Sequence, residues 1–426
     1  MLTIEGNIVN SETVSRKRIE IGNTGLITSV SEPIGKADFI FKDELIFPGF
    51  IDLHVHARED ASHTQDYKEN FTTAGEAAVN GGVVAYADMP NNPVPPIDDA
   101  SYDVKNNLAK NATEKTGVEI LLYAGIGTNT KPLSKKVPYK VFMGHSVGDL
   151  FFKNYTELEN VLENYRGQSV SFHCEDPEIL EKYKNENTHE EQRPPEAEIS
   201  AVDFALKLIE KYNLSGKICH CSTMEGVQKI IDAKKRGVSV TVEVAPHHLY
   251  FDETMLNESN RKMFQVNPPI RQTKENRLDL IQALKNGDID YLATDHAPHT
   301  LEEKEKGISG MPHLDTYGLF TTWLMKEHNF LAQDIARVCS KNPGDFLNEF
   351  YLTPHPSPYK VEGKNAILKF GKIEAGYIGS LTILDMTKPI KIKKENLKTK
   401  CAWSPFENVE FPGSVVMTVI KGKIYR

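Results

Sequence analysis

The stretch PGFIDLHVHARE, Pro48–Glu59, decides how the rest of the chain is read. A Pro-Gly turn leads into an apolar run (Phe50, Ile51, Leu53, Val55) with His54 and His56 threaded through it. Successive side chains on a strand point to opposite faces, so residues two apart share one. The two imidazoles would reach a common point, and imidazole is the commonest metal ligand and suits zinc. Paired histidines also occur as hydrogen-bonded core residues, so this stretch alone supports both readings.

Seven further runs of the same character follow it: VVAYADM (83–89), EILLYAG (119–125), YKVFMG (139–144), VSFHCE (170–175), KICHCS (217–222), VTVEVAP (240–246) and DYLATDH (290–296). Between most of them the apolar spacing is helical, as in Ser200–Tyr212, Met224–Arg236 and Lys274–Asn286. Strands alternating with helices imply a parallel sheet. Eight of them, in a segment near the roughly 250 residues of a closed barrel, predict an α/β chain built on a (β/α)8 TIM-like barrel. No glycine-rich dinucleotide fingerprint follows the first strand, which disfavours an open doubly wound sheet.

Outside this segment the rhythm changes. Residues 1–47 alternate apolar and polar in short runs (LTIEGNIV, KRIEIGN, GLITSV), which predicts a small antiparallel β unit. Comparable runs return in AILKFGKI, SLTILDM and SVVMTVIKGKIYR. The expectation is one discontinuous β domain, 1–47 with 355–426, around a catalytic barrel at 48–354. Two separate edge extensions are the alternative.

Composition narrows the function. The 426 residues are 39% hydrophobic and 26% charged, ordinary globular usage. A net charge of −9 argues against nucleic acid as the main partner, and means that an anionic substrate needs a local positive site. No apolar run approaches the roughly 18–20 residues of a membrane span, and MLTIEGNIVN lacks the build of a signal peptide. Five cysteines without a regular framework fit a reduced, cytoplasmic enzyme.

In such barrels the active site lies at the C-terminal strand ends, where the unusual residues fall. Strand one ends in His54 and His56, followed by Arg58, and strand two in Asp88-Met89-Pro90-Asn91. Lys140 lies within strand four, His173 and His220 near the ends of strands five and six, and Asp295 at the end of strand eight, followed by His296 and His299. Each has a bland alternative, such as a satisfied core histidine or an aspartate cap. Jointly, four histidines, a lysine and an aspartate over five strands of one barrel favour metal binding. Zinc sites use about four ligands, so the set suits two ions: His54, His56 and Asp295 on one, His173 and His220 on the other. An anionic bridge is then needed. Neutral lysine can add carbon dioxide to form a carbamate, and buried lysines lose their charge readily. Unmodified Lys140 stays open as the alternative.

These motifs resemble the amidohydrolase superfamily and, within it, the dihydroorotases. HVHARED resembles the first-strand motif, DMPNNPVPPI the second-strand substrate motif, and VEVAPHHLYF, VNPPIR and TDHAPHT the later ones. The similarity runs from about Phe47 to Pro354 and weakens in the flanks. It implies that His54, His56, Lys140 as a carboxylated bridge, His173, His220 and Asp295 bind two zinc ions. It also implies that Arg58, Asn91 and His299 hold a substrate carboxylate, with Asn267 nearby. The implied reaction interconverts N-carbamoyl-L-aspartate and L-dihydroorotate in pyrimidine synthesis. A metal-bridging hydroxide is the nucleophile, and Asp295 is the catalytic proton shuttle. Hydantoinases, dihydropyrimidinases and allantoinases share the metal set, but their substrates lack the ring carboxylate. Arg58 as an ordinary salt-bridge residue beside Glu59 and Asp60 is the bland alternative, and a non-catalytic scaffold the remote one. The assemblies raised are a homodimer and an association with aspartate transcarbamoylase.

Four smaller expectations complete the reading. MGHSVGDLFFK (143–153) is a candidate lid. Cys219 and Glu243 could form a subsidiary metal site with His173. His247 and His248 support the seventh strand end. Lys182–Glu198 reads as a solvated surface insertion.

Overall fold

The structure is a computed structural model that describes residues 1–144, 150–271, 273–351, 360–361, 364–365 and 368–425. All eight predicted barrel runs contain strands, numbered one to eight here. They are Phe50–Val55, Val83–Asp88, the interrupted pair Glu119–Leu122 and Ala124–Gly125, Tyr139–Phe142, Ser169–His173, Ser215–Ile218, Val240–Val244 and Tyr291–Leu292. Neighbours pair in parallel throughout. The ring closes at the seam between strands eight and one. His56 N donates to His296 O at 2.8 Å, and Val55 bridges His296. Below that point the buried Asp52 carboxylate accepts from Thr294 N at 3.0 Å and His54 N at 3.1 Å.

The helices follow from spacing and caps. Pro195–Tyr212 starts with proline, which gives up no needed donor at that position. It buries Ala197, Ala201, Val202, Ala205, Leu208, Ile209 and Tyr212, a stripe at three- and four-residue intervals. It ends at Asn213, whose left-handed φ of 50° stops the helix. Met224–Lys235 and Lys274–Asn286 match the predicted segments to within a residue and are capped by Thr223 and Thr273 side chains. The helix Asn342–Tyr351 puts Phe346, Leu347 and Phe350 against Ile51, Leu121 and Tyr123, filling the barrel floor.

Flanking the barrel is a seven-stranded sheet drawn from both ends of the chain. Its order is Lys423–Tyr425, Ser414–Ile420, Leu381–Asp385, Phe39–Pro48, Leu2–Val9, Val14–Ile21, Ile27–Ser31. Phe39–Pro48 runs on through Gly49 into the first barrel strand, tying the sheet to the site. Two expectations are corrected. The unit is not purely antiparallel: Leu2–Val9 and Phe39–Pro48 pair in parallel, because a long connection through two other strands separates them. The run AILKFGKI forms no strand over its described residues 368–373, where Phe370 is packed through its ring and bonded to Asn348 instead.

Lys182–Glu198 is exposed over much of its length, as expected of a surface segment, but it is not wholly solvated. It folds into short helices and turns its key charges inward. Arg193 pairs with buried Glu175, and buried Glu198 accepts from Ser222 and Thr223 beyond strand six. The exposed Lys182, Lys184, Glu186 and Glu191 form the solvated face that charge density suggested, whereas Arg193 and Glu198 are matched by partners elsewhere in the chain.

Candidate active site

At the C-terminal strand ends a pocket is lined by His54, His56, Arg58, Asn91, His173, His220, Asn267 and Asp295, with Phe142, Ala297, Ser309 and Gly310 completing the wall. Of the predicted site residues, Lys140 and His299 stand behind this lining. Lys140 is fully buried, its Nζ 2.8 Å from Cys219 Sγ and with no carboxylate within ion-pair distance among the described residues. His299 backs Arg58.

His54 and His56 both direct Nε2 at Asp295 Oδ1, at 3.3 and 3.2 Å. Their other nitrogens are held from behind: His54 Nδ1 by Glu243, and His56 Nδ1 by Asn91 Oδ1 at 2.7 Å. This is the arrangement of metal-binding histidines, whose distal N–H is oriented by a carboxylate or amide. On the other side of the pocket His173 Nδ1 faces His220 Nε2 at 3.0 Å, while His173 Nε2 meets Glu175 at 2.9 Å. His220 Nδ1 is buried without a partner among the described residues. Burial and neighbouring cations hold His54, His56 and His220 well below the usual histidine range, hence neutral and able to ligate. Burial raises the Asp295 carboxyl to about 7. Convergent neutral imidazoles around one carboxylate fit divalent metal. Three of these residues also have left-handed backbones: Arg58 (φ 65°), His220 (33°) and Asp295 (50°). Such strain costs about 1–3 kcal/mol per residue and clusters where geometry matters more than stability.

The bland alternative for Arg58 does not hold. Glu59 accepts from Phe71 N, and Asp60 from Ser62 and Val94 N. Arg58 is 2% exposed, and its ordinary pKa is lowered by that burial. Its Nε donates to Pro298 O at 3.3 Å and its Nη2 lies 3.1 Å from His299 Nε2. It makes no ion pair among the described residues. Asp88 likewise turns from the pocket. It pairs with buried Lys105 at 2.7 Å and accepts from Ala57 N at 2.8 Å, fixing the backbone beside Arg58.

Several supporting roles escaped sequence reasoning. Glu243 bonds His54 and Lys217, so the subsidiary site expected with His173 is not what forms; His54, not His173, gathers with Cys219 and Glu243. Burial opposes the Lys217 ammonium, but Glu243 holds it charged. Glu175 is buried, yet Arg193 and His173 hold it ionised, down to about 2. The available signal for Lys217 and Glu243 was opposite charges inside adjacent apolar strand runs. His247 and His248 sit just after strand seven, bonding His313 and Pro268 O. Gly310 has no room for a side chain, since a Cβ would lie 2.5 Å from Ala297 O. Of the candidate lid, residues 145–149 lie outside the described residues.

Residues 45–349 match the amidohydrolase family. The chain belongs to that family and is an enzyme of the hydrolase class. Among full-length relatives, the dihydroorotase of Thermococcus kodakarensis is 34% identical over 99% of this chain and 94% of its own. The dihydroorotase of Listeria innocua is 30% identical over 100% and 96%. Among solved structures, the L-hydantoinase (dihydropyrimidinase) from Arthrobacter aurescens superposes with a TM-score of 0.84 at 21% identity, covering 99% of this chain and 95% of that one. That last likeness is one of fold. No described helix is long and apolar enough to cross a membrane.

Proposed function

We infer that the chain is a dihydroorotase, interconverting N-carbamoyl-L-aspartate and L-dihydroorotate. The observation that carries this reading is Arg58: a buried guanidinium without a carboxylate partner among the described residues, at a pocket whose other wall is the histidine–aspartate cluster. In a chain of net charge −9 it is the local cation that an anionic ring requires. A guanidinium can engage a carboxylate through two parallel N–H donors. Relatives named dihydroorotase at 30–34% identity over nearly the whole chain support it.

In this reading His54, His56 and Asp295 hold one zinc ion, His173 and His220 a second, and a carbamate on Lys140 links them. Support for the carbamate is the burial of Lys140 without an ion pair among the described residues; modification would replace a cation with an anion between two metal positions. When bound, the ions supply water acidified toward a pKa of about 7 and polarise the amide carbonyl. Asp295 accepts the proton of the attacking water and delivers it to the leaving ring nitrogen. Arg58, Asn91 and His299 anchor the ring carboxylate, His299 through its contact with Arg58. Asn267 Oδ1, a buried acceptor without a partner among the described residues, takes a ring N–H. Glu243 and Glu175 hold His54 and His173 in orientation. The working unit is the barrel at 48–354, with 1–47 and 355–426 as its β domain.

The test is the cyclisation direction. Zinc-loaded protein supplied with N-carbamoyl-L-aspartate at mildly acidic pH should form dihydroorotate, detected by chromatography. No product from metal-replete protein would overturn the assignment.

A further inference from the structure

Glu303, in the helix Leu301–Glu305, is a carboxylate with four donors on it. Oε1 accepts from the Tyr67 hydroxyl at 2.6 Å and Lys68 Nζ at 2.8 Å. Oε2 accepts from His299 Nδ1 at 3.2 Å and Thr300 N at 3.0 Å. That fills the lone pairs of a carboxylate. Burial opposes its charge, but the bonds from His299, Lys68 and Tyr67 hold it well below the usual carboxylate range.

The significance of Glu303 lies in what it makes of His299. A guanidinium only donates, so at 3.1 Å from Arg58 Nη2 the His299 Nε2 must be the acceptor. The ring proton is therefore on Nδ1, and Glu303 is the acceptor it meets. Lys68 Nζ lies 3.3 Å from the same Nδ1, but an ammonium offers no lone pair and bonds Glu303 instead. Burial, with Arg58 beside it, pushes the His299 pKa down to about 3, so the ring is the neutral tautomer. The loop backbone is pinned as well, since Trp403 Nε1 donates to His299 O at 2.7 Å. Arg58 is thus held at two points, Nε on Pro298 O and Nη2 on His299. Its Nη1 has no hydrogen-bond partner among the described residues and is left for an anion.

We propose that Glu303 is a positioning residue that sets how tightly the site holds its ring carboxylate, by fixing His299 as the acceptor that orients Arg58. The proposal rests on the dihydroorotase reading for the identity of the anion. Without Glu303 the ring is free to carry its proton on Nε2, where it would oppose the Arg58 N–H and release the guanidinium.

Glu303→Gln tests it in the zinc-loaded enzyme. An amide oxygen keeps at most two of the four bonds, and its NH2 confronts donors. KM for dihydroorotate and Kd for orotate, an unreactive ring carboxylate, should each rise about tenfold, the scale of one lost charge-assisted bond. The kcat should stay within about threefold and the zinc content should not change. Nitrogen-15 spectra should show wild-type His299 protonated on Nδ1 and the variant shifted toward Nε2. Glu303→Ala gives the same comparison if the glutamine variant folds poorly. An unchanged KM and Kd, or a wild-type His299 with its proton on Nε2, overturns the proposal. A wild type inert toward dihydroorotate would overturn the functional reading instead, and the tautomer would then decide the role of Glu303.

Discussion

Replacing Arg58 with methionine separates function from stability at one position. The guanidinium is 2% exposed and makes no ion pair among the described residues, so Asp295, Asp88 and Glu303 offset its burial only in part. Among the described residues it donates only to Pro298 O at 3.3 Å and His299 Nε2 at 3.1 Å. Losing those two long bonds costs little, and removing a cation whose burial is only partly offset returns at least as much. The melting temperature of Arg58→Met should therefore match or exceed that of wild type. Binding is another matter. Two charge-assisted hydrogen bonds to a ring carboxylate contribute about 3–4 kcal/mol together. Their loss lowers kcat/KM for dihydroorotate by a factor on the order of 10²–10³. Steady-state kinetics and scanning fluorimetry on one zinc-quantified preparation read both quantities. A fall in melting temperature of more than about 5 °C with KM unchanged would make Arg58 a structural residue and refute the reasoning.

Lys140→Ala should bind fewer than two zinc ions per chain by elemental analysis; two ions at normal occupancy would rule out a carbamate bridge. Lys105→Met strands the Asp88 carboxylate, paired at 2.7 Å in the buried interior, and should cost about 3–5 kcal/mol, seen as a lowered denaturant midpoint. Adding Asp88→Asn should restore part of the loss. Asp315 anchors the segment around Lys398 and Thr399, and burial raises its carboxyl from 3.8 to about 6. Between those values the folded state keeps a proton that the unfolded chain has released, so stability falls as pH rises across that window and is level above it. Urea midpoints of wild type relative to Asp315→Asn should decline from about pH 4 to 6; a difference that grows over that range would contradict the sign.

The barrel was legible because a parallel strand buried on both faces must be apolar, so His54, Lys140 and Asp295 stood out against it. Strand alternation placed both histidines of the first strand on one face, and the structure has both aimed at Asp295. The residues that hold the site from behind were harder. Glu243 is read as a ligand from its neighbourhood in sequence, yet Lys217, 26 positions away on the adjacent strand, claims its second oxygen. Glu303 and Lys68 are 235 positions apart and look like surface charges until the fold joins them at His299. Charge near charge in sequence suggests solvent, yet within the segment from Lys182 to Glu198 Arg193 turns back onto the buried Glu175 just after strand five. Periodicity records which face is buried, not which distant partner neutralises a group there.

The most direct test of the central claim is a substrate panel with zinc counted on the same sample: dihydroorotate, dihydrouracil, hydantoin and allantoin. The account predicts ring opening of dihydroorotate with two zinc ions per chain, and at most weak turnover of the three rings without a carboxylate. Equal or faster hydrolysis of an uncharged ring would contradict it and assign the pocket to a hydantoinase-type reaction.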